Sequence, residues 1–301
     1  MTPPSVYDYD LETREHTLLK RLEVPGGYDP SQYAVERLQV PAPDGVEVPV
    51  TLVRRRDVVA DGTAPAFLLG YGSYGFPYPV RFDRSRVSLL DRGAVVALAH
   101  IRGGGELGKP WHDAGKMAEK MNTFTDFIAV GDALVERGWC ARERLVIGGG
   151  SAGGMLIGAV VNMRPDLAKA AVLWVPFVDV LNTMEDASLP LTVGEWEEWG
   201  NPLTEEQYRW IRAYCPYTNL AAQDYPAMLV KTSFNDSQVM YWEPAKYVAK
   251  LRTLKTDGNP LLLYTNLDAG HGGASGRYDH LREDAFDYAF VLWQMGLAEG
   301  G

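Results

Sequence analysis

Between residues 65 and 271 six apolar runs recur: PAFLLGYG, AVVALAHIRG, RLVIGGG, AAVLWVPF, AMLVKTSFND and PLLLYTNLDAGH. Each is short and nearly unbroken, which predicts strands buried on both faces, because a strand with one wet face alternates polar and apolar side chains instead. Between and after them lie segments with apolar residues three and four apart, such as FTDFIAVGDALVERG, EPAKYVAKLRTLK and EDAFDYAFVLWQM, the spacing of amphipathic helices. Strands alternating with helices in this way imply a mostly parallel sheet covered on both faces, the α/β class.

The first fifth of the chain follows another rhythm. Residues 5–24, SVYDYDLETREHTLLKRLEV, read as two short alternating strands around the polar turn LETRE, and a Pro-Gly-Gly breaker follows at 25–27. ERLQVPAPDGVEVPVTLVRR reads as a second hairpin with Asp44-Gly45 at its turn. A lone hairpin is marginal in water, so the first one needs a neighbour that this sequence does not supply. The chain contains no internal repeat and no low-complexity segment.

One stretch breaks the pattern, LVIGGGSAGGMLIGAVV, where an apolar strand runs into small residues around a single serine and then into a helical segment. Gly149-Gly150-Ser151-Ala152-Gly153 is G-x-S-x-G between a strand and a helix, the setting of a nucleophile elbow. The elbow strains the backbone at the serine, and side chains on the flanking residues would collide with the neighbouring strand and helix. A serine needs a base, and in this arrangement the chain order is serine, acid, histidine. His16, His100 and His112 precede Ser151, leaving His271 and His280. His271 lies in the glycine-flanked loop LDAGHGG after an apolar run, whereas His280 begins a helix and is expected on its surface. Asp236 ends the preceding strand AMLVKTSFND and is the expected acid, ahead of Asp224, Asp257 and Asp268. An oxyanion needs donors. The Ala152 N–H is one, and Tyr71 or Tyr74 in LLGYGSYGF is the other, equal choices by chemistry alone.

Composition narrows the field by exclusion. A net charge of −10 argues against a nucleic-acid partner. No apolar run reaches the roughly 20 residues of a membrane span, and the polar, acidic N-terminus is unlike a basic-then-apolar leader, so a cytosolic protein is expected. Cys140 and Cys215 stand far apart with no metal-ligand spacing, so neither a disulfide nor a zinc site is expected. IRGGGELG lacks the Lys-Ser/Thr pair of a phosphate loop, and HDAGK around His112 has no second ligand nearby. No cofactor or metal is implied.

The segments DGVEVPV, GYGSYG, SLLDRG, RGGGELG, GGSAGGML, QVMYWEPAKYVAKL and GHGG occur in an order that resembles the catalytic domain of the prolyl oligopeptidase family of serine peptidases, and within it the oligopeptidase B branch. The resemblance implies an α/β-hydrolase fold over 25–301, with Ser151, Asp236 and His271 as triad and Tyr71 beside Ala152 in the oxyanion hole. It also implies that Glu195 and Glu197, in LTVGEWEEWG, bind the basic side chain before the cleaved bond, making short basic peptides the substrates. Gln238 stands where the prolyl branch carries an arginine. Pro79 and Arg81 replace the acidic pair that would favour a second basic residue. Residues 1–24 resemble the last strands of the family's β-propeller, so a chain cut within the last blade is expected, with an uncapped face that invites self-association and a lost filter on substrate size. Two other readings keep the same residues: a prolyl or acylaminoacyl peptidase or general esterase, and an inactive binding module.

Overall fold

A computed structural model describes residues 1–276 and 278–298. Two strands, β1 (Ser5–Tyr9) and β2 (His16–Arg21), form an antiparallel hairpin separate from the rest. Its turn is held by the Asp10 carboxylate, which accepts the N–H groups of Glu12 at 2.8 Å and Thr13 at 2.9 Å. Val6, Leu11 and Leu19 stand exposed on it, Leu11 by 85%.

The remaining strands are β3 (Tyr33–Pro41), β4 (Glu47–Arg55), β5 (Ala66–Gly70), β6 (Val95–Ala99), β7 (Leu145–Gly150), β8 (Ala170–Trp174), β9 (Ala227–Ser233) and β10 (Leu261–Asn266). They build one eight-stranded sheet in the order β10-β9-β8-β7-β5-β6-β4-β3. The second predicted hairpin supplies β3 and β4, which pair antiparallel at the edge, while β5 to β10 run parallel. The six apolar runs are these six parallel strands. Every residue of β5, β6 and β9 is buried, whereas β10 ends the strand order and has Leu262 40% exposed.

The helices are α1 (Arg84–Asp91), α2 (Lys109–Asp113), α3 (Met121–Glu136), α4 (Ala152–Met163), α5 (Val180–Glu185), α6 (Thr192–Trp199), α7 (Glu205–Tyr214), α8 (Trp242–Leu254) and α9 (Asp279–Gln294). Side chains alternate across a strand, and the core divides accordingly. Leu68, Ile147 and Leu173 pack with Phe127 of α3, Leu156 of α4 and Val248 of α8; Phe67, Leu69, Val146 and Val172 pack with Leu90 of α1 and Phe290 of α9. This is a three-layer α/β-hydrolase fold with the ends of the parallel strands opening onto one edge. Among the described residues no helix is long and apolar enough to cross a membrane.

The contrast between core and hairpin is measurable. Leu156→Ala, at a fully buried position, is expected to cost about 3 kcal/mol in urea unfolding followed by tryptophan fluorescence, and Leu11→Ala less than about 0.5 kcal/mol. Comparable losses for both would show the hairpin packed against the domain.

Candidate active site

Ser151 joins β7 to α4 with φ 56° and ψ −120°, a left-handed backbone rare for a residue with a side chain. Three backbone bonds hold it there: its N–H donates to Trp174 O at 2.8 Å, and its carbonyl accepts from Met155 N–H and Phe177 N–H, each at 3.1 Å. The small neighbours are required by close approach. A Cβ on Gly149 would stand 2.3 Å from the Gly153 carbonyl oxygen, and one on Gly154 2.4 Å from Pro176 Cβ. Ala152 opens α4, so its N–H has no acceptor within the helix and lies beside the serine at the helix's positive end.

Asp236 follows β9, and its side chain is sealed from solvent. Its Oδ1 accepts the N–H groups of Gln238 and Val239, both at 2.9 Å, and its Oδ2 stands 2.7 Å from His271 Nδ1. The two loops are strapped together by Phe234 N–H to Asn266 O at 2.8 Å and Asn235 N–H to Ala269 O at 3.1 Å. The structure thus brings Asp236 and His271 together. No hydrogen bond joins Ser151 to His271 among the described residues. His280 is exposed on α9, as expected of it. Asp257, ranked behind Asp236, pairs instead with Lys255 at 2.7 Å and accepts the Tyr225 N–H at 2.7 Å.

Ser151 lines a cavity of about 320 Å³ together with Tyr71, Tyr74, Phe177, Glu195 and Gln238. The structure separates the two tyrosines that chemistry left equal. Tyr74 donates its hydroxyl to Glu195 Oε2 at 2.7 Å, whereas Tyr71 Oη bonds no protein group among the described residues. Burial, then the charges of Glu195 and Glu198, push Tyr71 up to about 12, so its hydroxyl stays protonated. Glu195 and Glu197 also part company. Residues two apart on a helix lie about 200° apart around its axis. Glu197 is accordingly exposed and off the cavity lining.

Three further residues supporting the cavity had no sequence signal. Glu198 is buried, accepts the Tyr74 N–H at 2.8 Å, and pairs with His112 Nε2 at 2.7 Å. His112, expected in a polar loop, thus sits on α2 with a partner. Lys120 is fully buried beneath the same loop, donating to Gly72 O at 2.7 Å and Ser73 Oγ at 3.0 Å, 5.0 Å from the centre of the Trp199 ring. The glycine-rich IRGGGELG forms the bed of that loop: a Cβ on Gly103 would meet Gly72 O at 2.1 Å. Among the described residues no group of three or more His, Cys, Asp or Glu is placed to hold a metal ion.

A sequence profile described as the prolyl oligopeptidase family matches residues 80–298. The chain belongs to this family. Among its family relatives it is 53% identical over 298 residues to dipeptidyl aminopeptidase BI of Pseudoxanthomonas mexicana and 47% identical over 297 residues to protease 2 of Moraxella lacunata. Each match covers 99% of this chain but 41% and 43% of those proteins, so the chain spans about two fifths of their length. Oligopeptidase B of Trypanosoma brucei, solved in a closed form with covalently bound antipain, superimposes with a TM-score of 0.95 at 45% identity, over 99% of this chain and 42% of that one.

Lys120 generates a pH prediction. Burial pushes it down from 10.5 to about 7, with the Glu198 charge opposing. Between those values the unfolded chain binds the proton that the folded one has released, so stability rises with pH. The slope is expected to approach about 1 kcal/mol per unit between pH 7.5 and 9.5, and Lys120→Met should remove it. Urea midpoints whose pH dependence is unaltered by the substitution would refute this.

Proposed function

We propose that the chain is the catalytic part of a serine oligopeptidase that cleaves short peptides after Arg or Lys through an acyl-enzyme. The observation that carries this reading is an acidic side chain, Glu195, on the wall of the same cavity as an elbow serine. Ser151 Oγ attacks the scissile carbonyl while His271 Nε2 takes its proton. This requires the ring to come within about 3 Å of the hydroxyl when substrate is bound. Asp236, accepting from Nδ1–H, fixes the tautomer and stabilises the imidazolium without taking the proton. Charge on the carbonyl oxygen is met by the Ala152 N–H and the Tyr71 hydroxyl. His271 then protonates the leaving amine, and a water deprotonated by the same ring releases the acid. Covalent antipain on the T. brucei relative supports a nucleophilic step.

Glu195 supplies the preference for a positive side chain, since a desolvated carboxylate holds a cation by charge-assisted bonds and gives a neutral side chain nothing. Gln238 on the same wall gives no comparable reason for a proline preference. A second reading rests on the name of the P. mexicana relative, a dipeptidyl aminopeptidase: there the substrate's free N-terminus would also be bound.

The test is hydrolysis of amide reporters bearing Arg, Lys, Pro or Ala before the bond, each with free and blocked N-termini. Ser151→Ala is expected to lower kcat by about 10⁴-fold or more. Glu195→Gln should lower kcat/KM about 100-fold for Arg and Lys reporters alone, while Glu197→Gln changes it less than about threefold. Serine-dependent cleavage indifferent to Glu195 would remove the basic preference, and activity confined to free N-termini would favour the dipeptidyl reading.

A further inference from the structure

A carboxylate has about four acceptor positions, two on each oxygen. On Glu195 both positions of Oε2 are filled, by the Tyr74 hydroxyl at 2.7 Å and by Trp199 Nε1 at 2.7 Å. Neither donor can swing away. Trp199 is fully buried, and the two rings meet edge to face with centroids 5.4 Å apart. The Tyr74 backbone is clamped as well, with φ 61° and its N–H on Glu198, which His112 holds from the other side. Tyr74 as a whole is 41% exposed. Desolvation first, and the Glu195 charge second, hold its ionisation far above the ordinary tyrosine range, so it remains a donor. Oε1 of Glu195 accepts nothing from the protein among the described residues, while the side chain lines the Ser151 cavity.

We propose that Tyr74 is a specificity-determining residue: together with Trp199 it occupies Oε2 of Glu195, so the cavity offers a substrate one carboxylate oxygen and reads the charge of a basic side chain, not the fork of a guanidinium. This rests on the reading of Glu195 given above and adds a consequence. Arginine draws its advantage over lysine from two parallel N–H···O bonds to two oxygens of one carboxylate. With Oε2 filled, a guanidinium keeps one of these, whereas an ammonium, a point charge with freely rotating donors, loses nothing. Lysine and arginine are therefore accepted with similar efficiency. Removing the tyrosine hydroxyl opens a position on Oε2 and restores the fork.

The experiment compares kcat/KM for matched Arg and Lys amide reporters on the 301-residue chain and on Tyr74→Phe, with fluorophosphonate labelling of Ser151 as the measure of an intact site. The expected Arg:Lys ratio for the unsubstituted chain is below about ten, and Tyr74→Phe, which keeps the ring packing, should raise it at least about threefold through the Arg reporter. A ratio above ten in the unsubstituted chain overturns the inference while leaving the basic-residue reading intact. So does a Tyr74→Phe chain that labels normally with the ratio unmoved. Where Tyr74→Phe does not fold, the ratio of the unsubstituted chain decides alone. Cleavage of a neutral ester through Ser151 with neither basic reporter touched refutes the basic-residue reading and this inference with it.

Discussion

The site depends on one backbone bond, from the N–H of Ser151 to the carbonyl of Trp174. It pins a residue with positive φ at the end of a central strand. Everything nearby is built around the space this consumes: glycines at 149 and 154 where a methyl would strike backbone or proline, and a helix that must begin at Ala152. A strained residue of this kind costs of order 1–3 kcal/mol and persists only where its surroundings over-determine it. Here they do, with the sheet on one side and the Phe177 and Met155 amides on the other. The strain leaves the hydroxyl beside the unpaired N–H groups at the start of α4, where negative charge is stabilised.

Around that fixed point the Tyr71–Glu195 side of the cavity, with its support, comes from three separated parts of the chain. The loop after β5 carries Tyr71 and Tyr74, α6 carries Glu195 and Glu198, and the segment after β6 supplies His112 and the glycine bed. The buried polar groups among them are costly unless hydrogen-bonded. Glu198 is satisfied by His112 and by the Tyr74 amide, and Lys120 by Gly72 O and Ser73 Oγ. These contacts tie loop to helix, so Tyr74 and the Glu195 carboxylate it bonds are positioned by one network. Tyr74 gives its hydroxyl to Glu195, while among the described residues the Tyr71 hydroxyl bonds no protein group.

The acid and histidine loops solve a different problem. Asp236 and His271 lie beyond the ends of adjacent parallel strands, β9 and β10, and the two main-chain bonds between their loops transmit the strand register to the side chains. With two amide donors on one oxygen of Asp236 and the imidazole on the other, the ring's orientation is fixed by secondary structure.

By itself the sequence determined what depends on local pattern. Unbroken apolar runs marked the parallel strands because both faces are covered. The small residues around Ser151 marked the elbow because nothing larger fits, and chain order together with position at strand ends and in a glycine-flanked loop pointed to Asp236 and His271. Apart from the family resemblance, it had no means to rank Tyr71 against Tyr74, and it could not turn Glu195 inward and Glu197 outward or bring His112 to Glu198. Those depend on contacts spanning 121 residues for Tyr74–Glu195 and 86 for His112–Glu198, and on the rotation of α6 about its own axis. An acidic run reads the same on any face of a helix; only packing Trp199 into the core decides which carboxylate meets the cavity, which is buried and which is left to water.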